Sequence, residues 1–460
     1  MSSTFSGITT ALSSLRAQRQ GLDVAGQNIA NVNTDGYSRQ RADMTAIEGV
    51  SNVPTIWAKQ DPVGSGVNVG DISRMRDELL ENRVRTEHAN NSYLSGQDSV
   101  FDSVQSVFKE PSDTGLQERL STYWSDWQDL SNSPGDDAVR TKVLQQGSTV
   151  TQALNDAHTQ LSTIWASNHS AAGTQVAEAN ADATEIAHLN KGIMQAKVGG
   201  LPANELADRR DSLVQRLSEL TGATATVRES GAVDLALYGS TLVGGASSRP
   251  LALTGGQTLS GQSANPVSVN WADSGQPATI TTGELGSAVD AMNRLIPKYS
   301  NALDGVASNL ATTVNAAHTA GFDKNGDPGG PFFSGTTADT ISVAITDTSK
   351  LAAASSPATR LDGTNADAIG DLSTSGSGPD VNYRSLVADL GVTAKSASLK
   401  AQTQLTITAD LDSQHESTSG VSLDEEMASL LSYQRAYEAA AKLMNTVDST
   451  LNTLINNTGR

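Results

Sequence analysis

The 460-residue chain has no cysteine. That removes disulfides, thiolate metal sites and cysteine nucleophiles together. Aromatics make up 4% and hydrophobic residues 37%. So lean a composition predicts thin helical cores rather than one thick globule. Cationic residues are also few. Thirty-one Lys and Arg face 50 Asp and Glu, a net charge of −19. That argues against nucleic acid or an anionic membrane as the main partner. No long apolar run occurs, so no membrane insertion is expected. The N-terminus lacks a basic segment followed by an apolar one, so no Sec-type address is expected. No Gly-x-Ser-x-Gly elbow occurs. The six histidines are scattered, and the nearest two, His158 and His169, are eleven apart, which is no zinc pair. No catalytic, cofactor-binding or metal-ligating residue is expected, and an enzyme such as a wall-cleaving hydrolase is disfavoured.

What the chain does have is matched periodicity at its two ends. Leu423, Met427, Leu430, Gln434, Tyr437, Ala441, Met444, Asp448, Leu451 and Ile455 step by four and three, which places one seam along a helix. A second row, Tyr433, Ala440, Val447 and Leu454, widens the apolar face beyond what one partner helix needs. In an isolated chain this second row is expected to stay open, for neighbouring copies to cover. Ser422 with Glu425 has capping-box spacing, and Asp424, Glu425 and Glu426 suit the positive end of the helix dipole. At the other end Phe5, Ile8, Leu12, Leu15, Arg19, Leu22, Gly26 and Ile29 follow the same alternation. Two such helices would pair as a terminal coiled coil able to meet copies of itself. The alternative is two ordinary amphipathic helices on a globular core.

Between the ends the chain reads mainly helical. Runs at Leu116–Leu130, Val143–Ile164 and Val176–Ile193 are separated by Pro134-Gly135 and Ala172-Gly173, and Gly199–Pro202 follows the last. These predict long antiparallel helices in a bundle. Trp124, Trp127 and Trp165 lie on or beside the apolar stripes and read as core. The charges of Glu205–Leu213 read as a solvated face with i,i+4 pairs. From Gly222 the texture changes to short alternating runs, at 224–227, 233–238, 241–243, 251–253, 267–271 and 279–281. This predicts a small antiparallel β domain inserted in the helical body, with Trp271 in its core and its ends near Gly222 and Gly283 close together. Helix resumes at Glu284 and should kink at Pro297. Asp323, Asn325 and Asp327 fit the first three ligand positions of a calcium loop. Positions 6 and 12 are Pro328 and Ser334, so a turn is expected instead. Gly64-Ser65-Gly66 lacks a third glycine at fingerprint spacing and reads as a turn, not a phosphate loop. Ser355 to Pro379 reads as irregular surface chain. The expected division is 1–45 with 412–460 for the terminal coiled coil, 46–222 with 284–411 for the bundle, and 223–283 for the β domain.

The first helix runs out in Asn28-Ile29-Ala30-Asn31-Val32-Asn33-Thr34-Asp35-Gly36-Tyr37-Ser38-Arg39-Gln40, a turn-forming stretch with one carboxylate and no base. Asn28-Ile29-Ala30-Asn31 followed by Asn33-Thr34 and Gly36-Tyr37 resembles the N-terminal signature of bacterial flagellar rod, hook and hook-associated proteins. The continuation Tyr37-Ser38-Arg39-Gln40 resembles the members at the hook–filament junction, as do Val63–Val69, Ile72–Asp77, Glu205–Leu213 and the loop from Asn325-Gly326 to Phe332-Phe333. Asp424-Glu425-Glu426 with Tyr433, Gln434 and Tyr437 resembles the C-terminal signature. The insertion carries none of the resemblance. What it implies is a structural axial protein, exported largely unfolded by the flagellar type III apparatus without a cleaved signal peptide, and located in the extracellular flagellum. Implied partners are copies of itself in a helical ring, hook protein below, the second junction protein above, and an export chaperone. The resemblance leaves as rivals a flagellin-like filament subunit, which lacks Tyr-Ser-Arg-Gln, and a surface adhesin with a helical stalk and a β binding domain.

Overall fold

Helix α1 (Thr4–Ala30) ends in a turn at Gly36, whose φ of +76° only glycine adopts without strain. The chain then forms an antiparallel ribbon of β1 (Gln40–Ala46) and β2 (Val67–Arg74), bulged at Asp43/Met44. The computed structural model describes residues 4–47 and 66–458. The side chains of Phe5 and Leu454 and the segment Val63-Gly64-Ser65 lie outside the described residues.

Asp77 caps α2 (Glu78–Phe108), accepting from the amides of Leu79 and Leu80. Next come α3 (Leu116–Asn132) and α4 (Asp137–Val198). The break expected at Ala172-Gly173 is absent: α4 is one helix of 62 residues, about 93 Å long. Ala172 is fully buried, and Gly173 faces open space inside an unbroken hydrogen-bond ladder. A single glycine costs about 1 kcal/mol, too little to end a helix packed on both sides of it.

After α5 (Asn204–Thr221), closed by Gly222 in the left-handed region, the β insertion begins. It is two small sheets rather than one. β3 (Thr224–Val227), β4 (Val233–Leu237), β5 (Ser240–Gly244) and β6 (Ser247–Ser248) form a meander. β7 (Leu251–Thr254) pairs with β8 (Ser268–Trp271) around the short α6 (Leu259–Gln262). Residues 279–281, expected as a strand, form none. Gly222 abuts Thr282, and Gly283 abuts Glu219 and Leu220, so the insertion's ends are adjacent. Its apolar face, including Leu235, Leu237, Leu242, Val243 and Trp271, shares one core with Val176, Ala183 and Ile186 of α4. Asn190, a polar interruption in the α4 stripe, donates to the carbonyls of Val233 and Gly245 (both 2.8 Å) and accepts from the Val233 amide. Asn180 does the same at Leu251.

Helix α7 (Gly283–Asp290) passes through a π turn at Ala291–Leu295 into α8 (Ile296–Ala320). The distortion expected at Pro297 is this π turn. Pro297 has no amide to donate, so the carbonyls one turn earlier need other partners. Trp165 Nε1 donates to Met292 (2.9 Å), and Gln262 Nε2 donates to Asn293 (3.1 Å). Beyond α8 lie β9 (Phe333–Ser334) and β10 (Ser342–Val343). The stretch expected as irregular surface contains α9 (Thr364–Gly370), with Ala366 and Ile369 fully buried. In the 323–327 turn, Asp323 Oδ1 accepts from the amides of Asn325 and Asp327, and Lys350 neutralises Asp323 and Asp327. Helices α10 (Pro379–Ser419) and α11 (Leu423–Thr458) close the chain. α10 runs back along α2, and α11 pairs with α1. Trp124, Trp127, Trp165 and Trp271 are all buried core.

Candidate functional site

The residues singled out at the two ends of the sequence come together where α1 and α11 begin to part. Asn28 sits at the centre, almost fully buried. Its Nδ2 donates to the Gln40 carbonyl (2.9 Å) and to Glu426 Oε2 (3.0 Å). Its Oδ1 accepts from the Tyr37 hydroxyl (2.8 Å) and the Gln40 amide (3.0 Å). Both donors and both acceptor sites of one amide are therefore used, and only this rotamer serves all four partners. Arg39 closes the other side, with Nε to Glu426 Oε1 (2.7 Å) and Nη1 to Glu425 Oε2 (2.5 Å). Its amide donates to the Ser419 carbonyl (2.9 Å). Burial, with Asp208 and Glu426 nearby, pushes the Tyr37 hydroxyl up to about 12, so it stays a donor. The capping box expected of Ser422 and Glu425 is not what these residues do. Glu425 and Glu426 reach across to Arg39, joining residues almost four hundred positions apart.

The remaining signature residues are peripheral. Thr34 and Asn31 bond each other and the end of α1. Ser38 is buried, and its amide donates to Asp208. Ile29 is half-buried, while Ala30, Asn33, Gly36, Asp424 and Gln434 are exposed.

Along the pair the two apolar rows exchange the roles expected of them. Tyr433 lies on Gly21, close enough that a Cβ there would be 2.8 Å from its ring, and Val447 lies on Gly7. Ala440 is buried. This second row faces α1 rather than open solvent. Of the first row, Leu430, Met444 and Leu451 are half-buried, while Leu423, Met427, Tyr437 and Ile455 are exposed, as are Leu431 and Leu443. On α1, Ile8, Leu15, Leu22 and Ile29 are half-buried and Leu12 is exposed. The buried face of α1 is Ala11, Ala17, Gly21, Val24, Ala25 and Asn28. The physical reason is close approach: small residues let the helix axes draw together and shift the contact by about one position from the leucine row.

Of the charges at 205–213, expected to be solvated, Glu205 and Arg209 are exposed, but Asp208, Arg210 and Asp211 are buried. Asp208 and Asp211 are one turn apart on one face, and Arg74 at the end of β2 donates to both (2.8 Å each). Arg76 bridges Asp211 and Glu81, and Arg85 pairs with Glu81 (2.7 Å). Arg210 pairs with Asp211 and donates to the Gly231 carbonyl. Burial would raise the Asp211 carboxyl, but Arg210, Arg76 and Arg74 hold it below the ordinary value. This network fastens the ribbon to α5 and α2. It borders a cleft of about 330 Å³ between the Gly36–Ser38 loop, α2, α5 and the end of α10. The missed signal was the pairing of Arg74 and Arg76 with carboxylates spaced i,i+3.

The ionised groups of the lock and of the α5 network are paired with opposite charges, and the features are those of a joint. Among the described residues no cluster suits a metal ion, and no helix is long and apolar enough to cross a membrane.

A model of the flagellar hook-associated protein FlgK helical domain matches residues 101–333, just over half of the chain. The chain belongs to the FlgK family. The match runs through the β insertion, so the family likeness extends where the motifs carried none. A flagellar basal body rod protein model matches residues 8–37, and a basal body rod FlgEFG C-terminal model matches 412–457. Asn28 and Tyr37 fall in the first and Glu426 in the second. Flagellar hook-associated protein 1 of Bacillus subtilis is 28% identical over all of this chain and 99% of its own length. Its namesakes in Escherichia coli and Salmonella typhimurium are 26% and 25% identical over 98% of this chain and 99% of theirs. The solved flagellar hook junction protein FlgK from Burkholderia pseudomallei superposes with TM-score 0.65 at 16% identity, over 73% of this chain and all of that one, a likeness of fold. As a FlgK-family member the chain is a structural, non-enzymatic component of the extracellular flagellum at the hook–filament junction. The family is one of axial proteins that assemble with hook and filament. That sets aside the flagellin-like, adhesin and enzyme readings.

Proposed function

We propose that this protein is an adapter whose copies self-assemble into a helical ring on the distal hook end and so allow the filament to grow. Hook protein lies below and the second junction protein above, with an export chaperone handling the chain before type III secretion. Residues 1–45 with 412–460 act as the assembly region. Residues 46–222 with 284–411 pack laterally, and 223–283 face outward while docked on α4. The seam Phe5, Ile8, Leu12, Leu15, Leu22, Ile29, Leu423, Met427, Leu430, Tyr437, Met444, Leu451 and Ile455 divides between two tasks. Its half-buried members hold the pair together, and its exposed members meet neighbouring copies.

The observation that carries this reading is the apolar surface that α11 leaves open. Leu423, Met427, Leu431, Tyr437, Leu443 and Ile455 are each 39% exposed or more, on a helix already paired with α1. So much exposed apolar surface on one helix marks an interaction face. The test replaces Met427 and Tyr437 together by Asp. A charge placed where packing removes water costs several kcal/mol, while in the monomer Met427 is 51% and Tyr437 39% exposed, so the new charges reach water there. Electron microscopy of the mutant cells should show hooks without filaments, although the protein is exported and melts as wild type. Normal filaments on that strain would overturn the reading.

A further inference from the structure

Three helices meet at His88 of α2. Its Nδ1 lies 3.1 Å from Glu219 of α5, and its Nε2 lies 2.8 Å from Asp412 of α10. A neutral imidazole carries one N–H, so it can donate to only one of two carboxylates. With carboxylates on both sides, only the doubly protonated ring can donate to both. We propose that the His88 imidazolium is a proton-dependent bolt that fastens the end of α10, and through it the terminal helix pair, to the helical body.

The bolt's reach follows from the chain path. Asp412 lies less than two turns before Ser419, whose carbonyl receives the Arg39 amide at the lock between the two ends. Loosening α10 at Asp412 therefore loosens the support of that lock. Among the described residues lining this cleft, the arginines are engaged away from the two carboxylates, Arg85 by Glu81 and Arg76 by Glu81 and Asp211. On α10, Glu416 and His415 line the cleft a turn further on, and burial with Arg76 nearby pushes the His415 ring down, towards neutrality. Glu87 of α2 is occupied by Gln404. The carboxylates of α7, which also packs on α2, bond elsewhere: Glu284 to Gln175, and Asp290 to Gln97 and Arg294.

The Glu219 hydrogen bond, followed by that of Asp412, raises the His88 pKa to about 9. A raised folded pKa means stability that is fully present below the ordinary histidine value and is lost as pH rises through the folded one. The bolt is thus set at neutral pH and opens on the alkaline side, over a window from about 6.5 to about 9.

The test uses the full chain with labelled histidine. Nuclear magnetic resonance should show one ring, absent from His88→Gln, that is doubly protonated at neutral pH and titrates near 9. Amide exchange over residues 408–419, corrected for its intrinsic rate, should then quicken between pH 7 and 9 in the wild type. One proton sets a ceiling of about tenfold per pH unit, and a ring one quarter exposed should give a several-fold change. In His88→Gln the same amides should exchange fast at every pH. A titration near 6.5 would overturn the proposal, as would an identical pH dependence in the two proteins. If His88→Gln does not fold, the wild type decides: exchange that quickens at 408–419 and not in α4 supports the bolt, and a uniform change refutes it.

Discussion

The helical body and the terminal pair are made of the same kind of helix, yet they are held together differently. In the body, Tyr123, Trp127, Phe332 and Phe333 pack on one another at tilted and edge-to-face angles, with His318 against Trp127 and Phe332, and all are buried. In the terminal pair the buried apolar side chains, among the described residues, are Ala11, Ala17, Val24, Ala25 and Ala440. Its described leucines, methionines and tyrosines are half-buried or outside. Burial stabilises by roughly 25 cal/mol per Å² of apolar surface, so an alanine seam contributes far less than a tryptophan core. The pair relies instead on a polar lock at one end and leaves its large apolar groups free. The body is a finished domain. The pair leaves apolar surface open, and our proposal gives that surface to neighbouring copies.

The largest way to break this comparison is in the body. Trp127→Ala empties a site with no solvent access. It should cost about 3–5 kcal/mol and lower the main thermal transition by circular dichroism. If that transition did not move, the aromatic cluster would not be the body's anchor. The lock should respond more weakly and elsewhere. Asn28→Ala removes four hydrogen bonds and leaves the buried Glu426 carboxylate with Arg39 as its remaining partner. The expected cost is about 1–3 kcal/mol, seen as faster amide exchange in α1 and α11 with the main transition unchanged. A matching fall in the body's melting temperature would show that the two regions fold as one unit.

Much of this division is legible in the chain. The heptads of both ends, the bundle helices, the texture change at Gly222 and the core role of the tryptophans all follow from periodicity and turn chemistry. What the sequence hides is of two kinds. One is context overriding a local signal: Gly173 does not break α4, because the packing on either side outweighs one glycine. Likewise the insertion does not stand apart from the body, because Asn180 and Asn190 tie its strands to α4. The other is long-range pairing. Asp208 and Asp211 look solvated until Arg74 and Arg76, more than a hundred residues earlier, fold against them. Glu426 looks like a helix-dipole residue until Asn28 arrives from the opposite end. The contact row of the pair is displaced by one position from the leucine row, because small residues such as Gly21 and Gly7 set the close approach of the two helices.

That last point gives the finest test, using two glycines of α1 that differ in what they face. Gly26 has open space around it, while a Cβ on Gly21 would lie 2.8 Å from the Tyr433 ring. Replacing either by alanine removes the same flexibility from the unfolded chain, a gain of about 0.5–1 kcal/mol in a helix interior. At Gly26 nothing opposes the gain, so Gly26→Ala should slow amide exchange across α1 and α11. At Gly21 the added methyl must push Tyr433 outward, and overpacking of this kind costs about 1–3 kcal/mol. Gly21→Ala should therefore be neutral to mildly destabilising, and exchange should quicken around Tyr433. The difference between the two variants isolates the packing term, because the helix term cancels. If both variants slow exchange equally, Tyr433 does not rest on Gly21. The close small-residue contact would then have to give way to the leucine row as the seam of the pair.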